Sequence, residues 1–149
     1  MTDRLLVDAM CGRLATYLRM CGHDAAYAFD RGVEADDELL TLAAREDRRL
    51  VTRDRDLAAA APDAVLLSSR DIDGQLRELR DAGVRLSLPD EPTRCGTCNG
   101  PLERVASDAE TPEGAPDPAR EPVWRCRDCG QHFWRGSHWD DVAARLADL

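Results

Sequence analysis

Two C-x-x-C pairs, Cys95-Gly-Thr-Cys98 and Cys126-Arg-Asp-Cys129, place four thiols in a chain of 149 residues. Each pair offers two thiolates from one tight turn, and two such pairs complete the tetrahedral set that a structural zinc takes. Gly100 and Gly130 follow the pairs, where each knuckle must turn back. A disulfide or a redox dithiol is the competing chemistry for this spacing. A second set of residues is acidic: Asp8, Asp36, Asp54 and Asp56. Carboxylates that cluster repel one another unless protonated or bridged by a cation, and their hard oxygens suit Mg²⁺ or Mn²⁺. An ion held this way polarises a phosphate, activates water and neutralises a leaving oxygen, which is the chemistry of phosphodiester hydrolysis. Arg53 and Arg55 flank Asp54 and are placed to grip backbone phosphates, and Arg13 lies one helical stretch beyond Asp8.

Each of these residues also has an ordinary reading. Asp8 and Asp36 could be helix N-caps, and Asp54 and Asp56 turn acids. Arg13 could pair with a neighbouring carboxylate, while Arg53 and Arg55 could simply balance the acids around them. Cys21 falls on an apolar helix face, where a thiol packs, and neither it nor Cys11 has a histidine partner that would make it a nucleophile. His138, between Trp134 and Trp139, could fill the small module or present a stacking surface to RNA. The Asp54-Arg55-Asp56 step also fits a Toprim-type acidic site, but that fold wants a glutamate where this chain has Asp8.

The elements that must position these residues alternate. Leu5–Val7 is a short apolar strand ending at Asp8, and residues 10–21 read as a helix with Leu14, Ala15, Leu18 and Cys21 toward one side. A strand over 24–29 leads to a helix opened by Asp36-Asp37-Glu38, acids that suit the positive end of a helix dipole. A strand over 49–52, a short alanine-rich helix, a strand over 64–67, a helix over 71–82 and a last short strand over 84–88 complete the pattern. Strands alternating with helices imply right-handed crossovers and a mostly parallel sheet of four or five strands. Sites in such sheets form outside the carboxyl ends of the strands, which is where Asp8, Asp36 and Asp54 fall. Residues 88–92 read as a linker, dividing a unit over 1–90 from a smaller one over 91–149 that needs its metal to fold. Residues 106–122, rich in Pro, Ala and acids, read as a loop between the knuckles.

Composition narrows the setting. The net charge is −9, the sequence pI is about 4.8 and all 20 basic residues are arginine. Such a balance is similar to that of proteins from extreme halophiles, although a GC-rich genome favours arginine and alanine too. Acidity ordinarily argues against a nucleic-acid partner. At molar salt, however, the screening length falls to about 3 Å, so local contacts rather than global charge decide binding. No apolar run is long enough to span a bilayer. The opening residues do not read as a signal peptide, and paired C-x-x-C motifs suit a reducing cytoplasm.

The run from Asp8 through Gly12-Arg13-Leu14-Ala15, Leu18-Arg19 and Gly22-His23-Asp24 resembles the opening motif of a PIN-like family. This is the ribonuclease domain found at the C-terminus of the Mut-seven exonucleases and also as a stand-alone prokaryotic protein. Asp36-Asp-Glu-Leu-Leu-Thr-Leu-Ala43, Arg49-Leu-Val-Thr52-Arg53-Asp54-Arg55, the cysteine pairs and the tail Trp134-Arg-Gly-Ser-His138-Trp139 match as well. The resemblance implies a PIN-like α/β fold followed by a zinc ribbon, and metal-dependent cleavage of RNA. It implies Asp8 and Asp54 as Mg²⁺ or Mn²⁺ ligands, Asp36 (or its neighbour Asp37) as a third, and Asp56 as a plausible fourth acid. Arg13 and Arg19 match the family's arginine pair, although six helical residues set them about 120° apart. Cys11, Cys21 and His23 depart from the family's usual bulkier or aromatic residues without removing an acid. A non-catalytic RNA- or ribosome-binding adaptor, or a bare zinc-ribbon interaction module, are the rival functions.

Overall fold

A computed structural model describes residues 2–149. Its larger unit is a four-stranded parallel sheet in the order β2-β1-β3-β4, formed by β1 (Arg4–Val7), β2 (Asp24–Tyr27), β3 (Arg49–Thr52) and β4 (Val65–Leu66). Leu5 and Val7 face one side of the sheet and Leu6 the other, and all three are fully buried. Burial on both faces is why the strands read as continuous apolar runs rather than alternating ones.

One face is covered by α1 (Gly12–Met20) and α4 (Ile72–Asp81), which contribute Leu14, Leu18, Leu76 and Leu79 to the core. The other is covered by α2 (Asp36–Glu46) and the short α3 (Arg55–Ala60), through Leu39, Leu42, Ala43 and Leu57. Truncating a buried leucine such as Leu18 to alanine costs about 2–5 kcal/mol at sites of this kind. The helix expected over 10–21 is split: Ala9–Cys11 is a 3₁₀ turn capped by Asp8, and the α-helix proper begins at Gly12. No fifth strand forms over 84–88. The Val84 N–H is taken by Leu79 O at the end of α4, and Val84 and Leu86 pack on the core without a ladder partner.

The smaller unit is an antiparallel sheet of β5 (Leu102–Arg104), β6 (Trp124–Cys126) and β7 (His132–Phe133), followed by α5 (Ser137–Ala147). It docks on the β2 edge of the parallel sheet. The Asn99 amide donates to Asp24 Oδ1 at 2.6 Å and accepts from Ala25 N at 3.0 Å. Its α5 then returns to the larger unit, where Leu146 and Leu149 pack against the α1/α4 core and Arg145 meets Asp73 at 2.7 Å.

Candidate functional site

The parallel sheet brings the carboxyl ends of β1 and β3 side by side, since Val7 pairs with Val51 and the Asp8 N–H still donates to Val51 O at 3.0 Å. Asp8 is therefore held rigidly, half-buried just past the last rung of its strand. Its Oδ1 accepts from Ala9 N at 2.7 Å, capping the 3₁₀ turn, and its Oδ2 accepts from the Thr52 hydroxyl at 2.7 Å. The same hydroxyl oxygen accepts from Asp54 N at 3.0 Å. Asp54 in turn caps α3, accepting from Asp56 N and Leu57 N, and both bonds fall on Oδ1, leaving Oδ2 out of the cap. Asp8, Thr52 and Asp54 thus form one connected set across two strands. Thr52 is fully buried. Its one legible signal in the sequence is a hydroxyl at the last position of an otherwise apolar buried strand, which points to a role not expected from residue type alone.

The other acids stand differently. Asp36 is exposed in the first turn of α2 and makes no side-chain cap; the N-cap position is Ala35. By the parallel topology this turn lies at the same carboxyl edge of the sheet as Asp8 and Asp54. Asp56 is exposed on α3. Among the described residues these carboxylates do not gather into a group of three or more ligands; only the four cysteines do. Asp30, three residues past β2 and not anticipated from sequence, is a further acid at this edge, 4.0 Å from the Arg19 guanidinium.

Three of the four expected phosphate-binding arginines are available. Arg13 and Arg55 are exposed and Arg53 half-buried, and none makes an ion pair among the described residues. Arg19 is the correction. It is only 3% exposed, and its guanidinium donates to Ala25 O (2.8 Å), Gly96 O (3.0 Å) and Thr97 O (3.3 Å). A buried cation must have its donors satisfied, and here backbone carbonyls of β2 and of the first knuckle do so. Arg19 is a tie between the two units, not a phosphate ligand.

Beside Asp8, burial pushes the Cys11 thiol up to about 11, with the Asp8 charge adding to the shift, so it is a packing group rather than a nucleophile. Tyr27 donates from its hydroxyl to Ala9 O at 2.8 Å, and its pKa is raised by burial and then by Asp30, Cys11 and Asp8, which keeps that proton in place. Gly12 permits this contact, because a Cβ there would lie 2.8 Å from the Tyr27 hydroxyl oxygen. Met10 and Phe29, 63% and 65% exposed, are large apolar residues left uncovered just past the ends of β1 and β2.

The four-cysteine cluster is closed. Cys95 and Cys129 sulfurs are 3.6 Å apart, Cys98 and Cys126 sulfurs 3.5 Å, and all four lie within 4.8 Å of one another. A tetrahedron with Zn–S bonds of about 2.3 Å has edges near ~3.8 Å, so the set fits zinc. Backbone N–H groups of Gly100, Asp128 and Cys129 point at these sulfurs at 3.4 Å, which favours the thiolate form a metal needs. Phe133, Trp134 and Trp139 of this unit line a cleft beside the parallel sheet.

A model of the Mut7-C RNAse domain family matches residues 3–146, nearly the whole chain. No curated protein and no solved structure matches the chain.

Proposed function

The chain belongs to the Mut7-C RNAse domain family, and from that membership we propose that it is a metal-dependent ribonuclease hydrolysing RNA phosphodiester bonds at the carboxyl edge of its parallel sheet. The observation that carries this reading is the Asp8–Thr52–Asp54 set: two aspartates just past adjacent strands, the Asp8 carboxylate and the Asp54 backbone N–H both bonded to one buried hydroxyl, at the edge where such sheets bind ligands. Hard carboxylate oxygens suit Mg²⁺ or Mn²⁺, and Asp8 and Asp54 are the residues that would hold the ion, with Asp36 and Asp56 as further acids of the same edge. Bound there, such an ion supplies an activated water and a counter-charge for the leaving 3′ oxygen.

This chain's own residues do the rest. Thr52 fixes the orientation of the Asp8 carboxylate, as outer partners of metal ligands do. Arg13, Arg53 and Arg55, without acidic partners, position backbone phosphates. Residues 1–90 form the proposed nuclease unit and 91–149 a zinc ribbon whose metal is structural. Among the described residues no helix is long and apolar enough to cross a membrane. Unpaired thiols throughout fit a reducing compartment, which we take to be the cytoplasm.

The test is cleavage of labelled single-stranded RNA by the purified chain with Mg²⁺ or Mn²⁺, against Asp8→Asn. Cleavage that depends on the divalent ion and falls by several orders of magnitude in the variant is the expected result. Equal cleavage by both proteins would exclude this site. No cleavage with any divalent ion, but retained RNA binding, would favour an RNA-binding adaptor.

A further inference from the structure

A cleft of about 470 Å³ separates the ribbon from the β2 edge of the parallel sheet. That is the size of a small-molecule site, of the order of 300–1,000 Å³. Its ribbon wall carries Phe133, Trp134 and Trp139, and its sheet wall carries Tyr27. All four are partly buried, so their ring surfaces are neither sealed into a core nor lost to solvent. Trp134 is held against the chain by Gly136, where a Cβ would come 2.9 Å from the indole nitrogen. Polar and charged groups interrupt the aromatic lining, among them Arg19, Asp30, Arg94, Thr97 and Gln131.

We propose that this cleft receives one unpaired nucleobase of a single-stranded RNA whose adjoining phosphate lies at Asp8. The proposal rests on the ribonuclease reading and names the form of RNA and the place it is held. Three observations select this occupant. Facing aromatic walls accept the π-face of any base. On the cleft wall Asp30 can accept from exocyclic amino groups, and the Arg94 guanidinium can donate to base oxygens and ring nitrogens, so the edge of a base finds partners of both kinds. The cleft also lies next to the acidic site: Tyr27 lines the cleft and bonds through its hydroxyl to Ala9, the residue after Asp8. Phe29, 6.0 Å from the Tyr27 ring, carries the aromatic surface outward along the same edge. On the other side a smaller pocket sharing Thr16, Met20 and His138 leads to the unpaired Arg13, which would take the next phosphate. A base within a duplex cannot reach between the two walls without unpairing.

The experiment uses the full chain carrying Asp8→Asn, so that RNA is bound and not cut, and a 12-nucleotide mixed-sequence RNA, alone or annealed to its complement. Two of the three tryptophans line the cleft and the third, Trp124, is buried, so tryptophan fluorescence reports its occupancy. The single strand should quench this fluorescence and the duplex should not. Adding Trp139→Ala should weaken single-strand binding about 5- to 150-fold, the range for losing one stacked base. Adding Trp139→Phe should keep most of the affinity. Zinc content and thermal unfolding check that each variant is folded; if Trp139→Ala does not fold, the quench and Trp139→Phe decide. Unchanged fluorescence on binding, equal affinity for the duplex, or binding indifferent to Trp139→Ala in a folded protein would overturn the proposal. Failure of the two readings is separable. Wild-type cleavage with no quenching in the Asp8→Asn chain sinks the cleft and leaves the nuclease, whereas quenching that depends on Trp139 without wild-type cleavage sinks the nuclease and leaves the cleft.

Discussion

Thr52 donates its only hydroxyl proton to Asp8 Oδ2 and accepts from Asp54 N with the same oxygen. Replacing it with valine keeps the shape of the strand but removes both bonds. The loss of an outer partner of a metal ligand typically costs about 10–100-fold in metal affinity or activity. Thr52→Val should therefore shift the Mg²⁺ dependence of RNA cleavage to higher concentration by roughly this factor. A titration of rate against Mg²⁺ reads the effect, and an unchanged midpoint would show that the Thr52 hydroxyl does not orient Asp8. Asp54 has two duties that can be separated. Asp54→Asn keeps an N-cap side chain for α3 while removing the charge, so thermal stability should change little and cleavage greatly.

One residue of the first knuckle contributes strongly to the joint between the units. Asn99 adopts a left-handed φ of 71°, which asparagine tolerates better than most residues, and its amide spans to Asp24 and Ala25. Asn99→Gly keeps the backbone conformation and deletes only the side-chain bonds. It should lower stability by about 1–3 kcal/mol, the cost of leaving part-buried polar partners unmatched. Chemical denaturation checks this, and no change would mean that the other contacts across the joint, Arg19 and α5 among them, hold it without Asn99. A second network ties α2 to the sheet: Glu46 bonds Arg31 and Arg48, and Arg48 bonds Asp24 at 2.8 Å. Hydrogen bonds from Arg31 and then Arg48 hold the Glu46 carboxyl at about 2, against an ordinary 4.5. A depressed carboxylate stabilises the fold fully above its unfolded pKa, and that contribution is lost as pH falls through the folded value. The melting temperature should thus decline between about pH 4.5 and pH 2. Glu46→Gln should show a shallower decline across that window; an identical profile would place the acid sensitivity elsewhere.

Over the whole molecule, the ribbon is not an appendage. The α5 helix that follows it supplies Leu146 and Leu149 to the larger core, and the Arg145 guanidinium sits 6.0 Å from the Tyr17 ring while paired to Asp73. Loss of a metal from the four-cysteine cluster should therefore reach the parallel sheet. Cys126→Ser should release the metal, measured by elemental analysis, and lower the melting temperature of the entire chain rather than unfold residues 91–149 alone. A larger unit that melts at the wild-type temperature would show that the two units are thermodynamically independent.

Local codes carried much of this in the sequence itself. Two knuckles need only a four-residue turn each, so the four-cysteine cluster could be read from spacing. The βα alternation and the acids ending β1 and β3 follow from short-range patterning, because a parallel sheet puts those positions on one edge whatever the details of packing. What tertiary structure alone decided are contacts between residues far apart in the chain. Arg19 has the residue type of a phosphate ligand, but it meets Gly96, 77 positions away, and is used up there. Thr52 reaches Asp8 across 44 positions, a pairing set by strand register that no window of sequence contains. The segment over 84–88 has a strand's composition and lacks a neighbour to pair with, which depends on where the sheet ends. The aromatic cleft exists only because the ribbon lies against β2; in the sequence its walls are separate tryptophans and a tyrosine that fit a small core equally well. Spacing can specify a turn or a strand end, but the burial of a charge and the shape of a gap between units are set by packing.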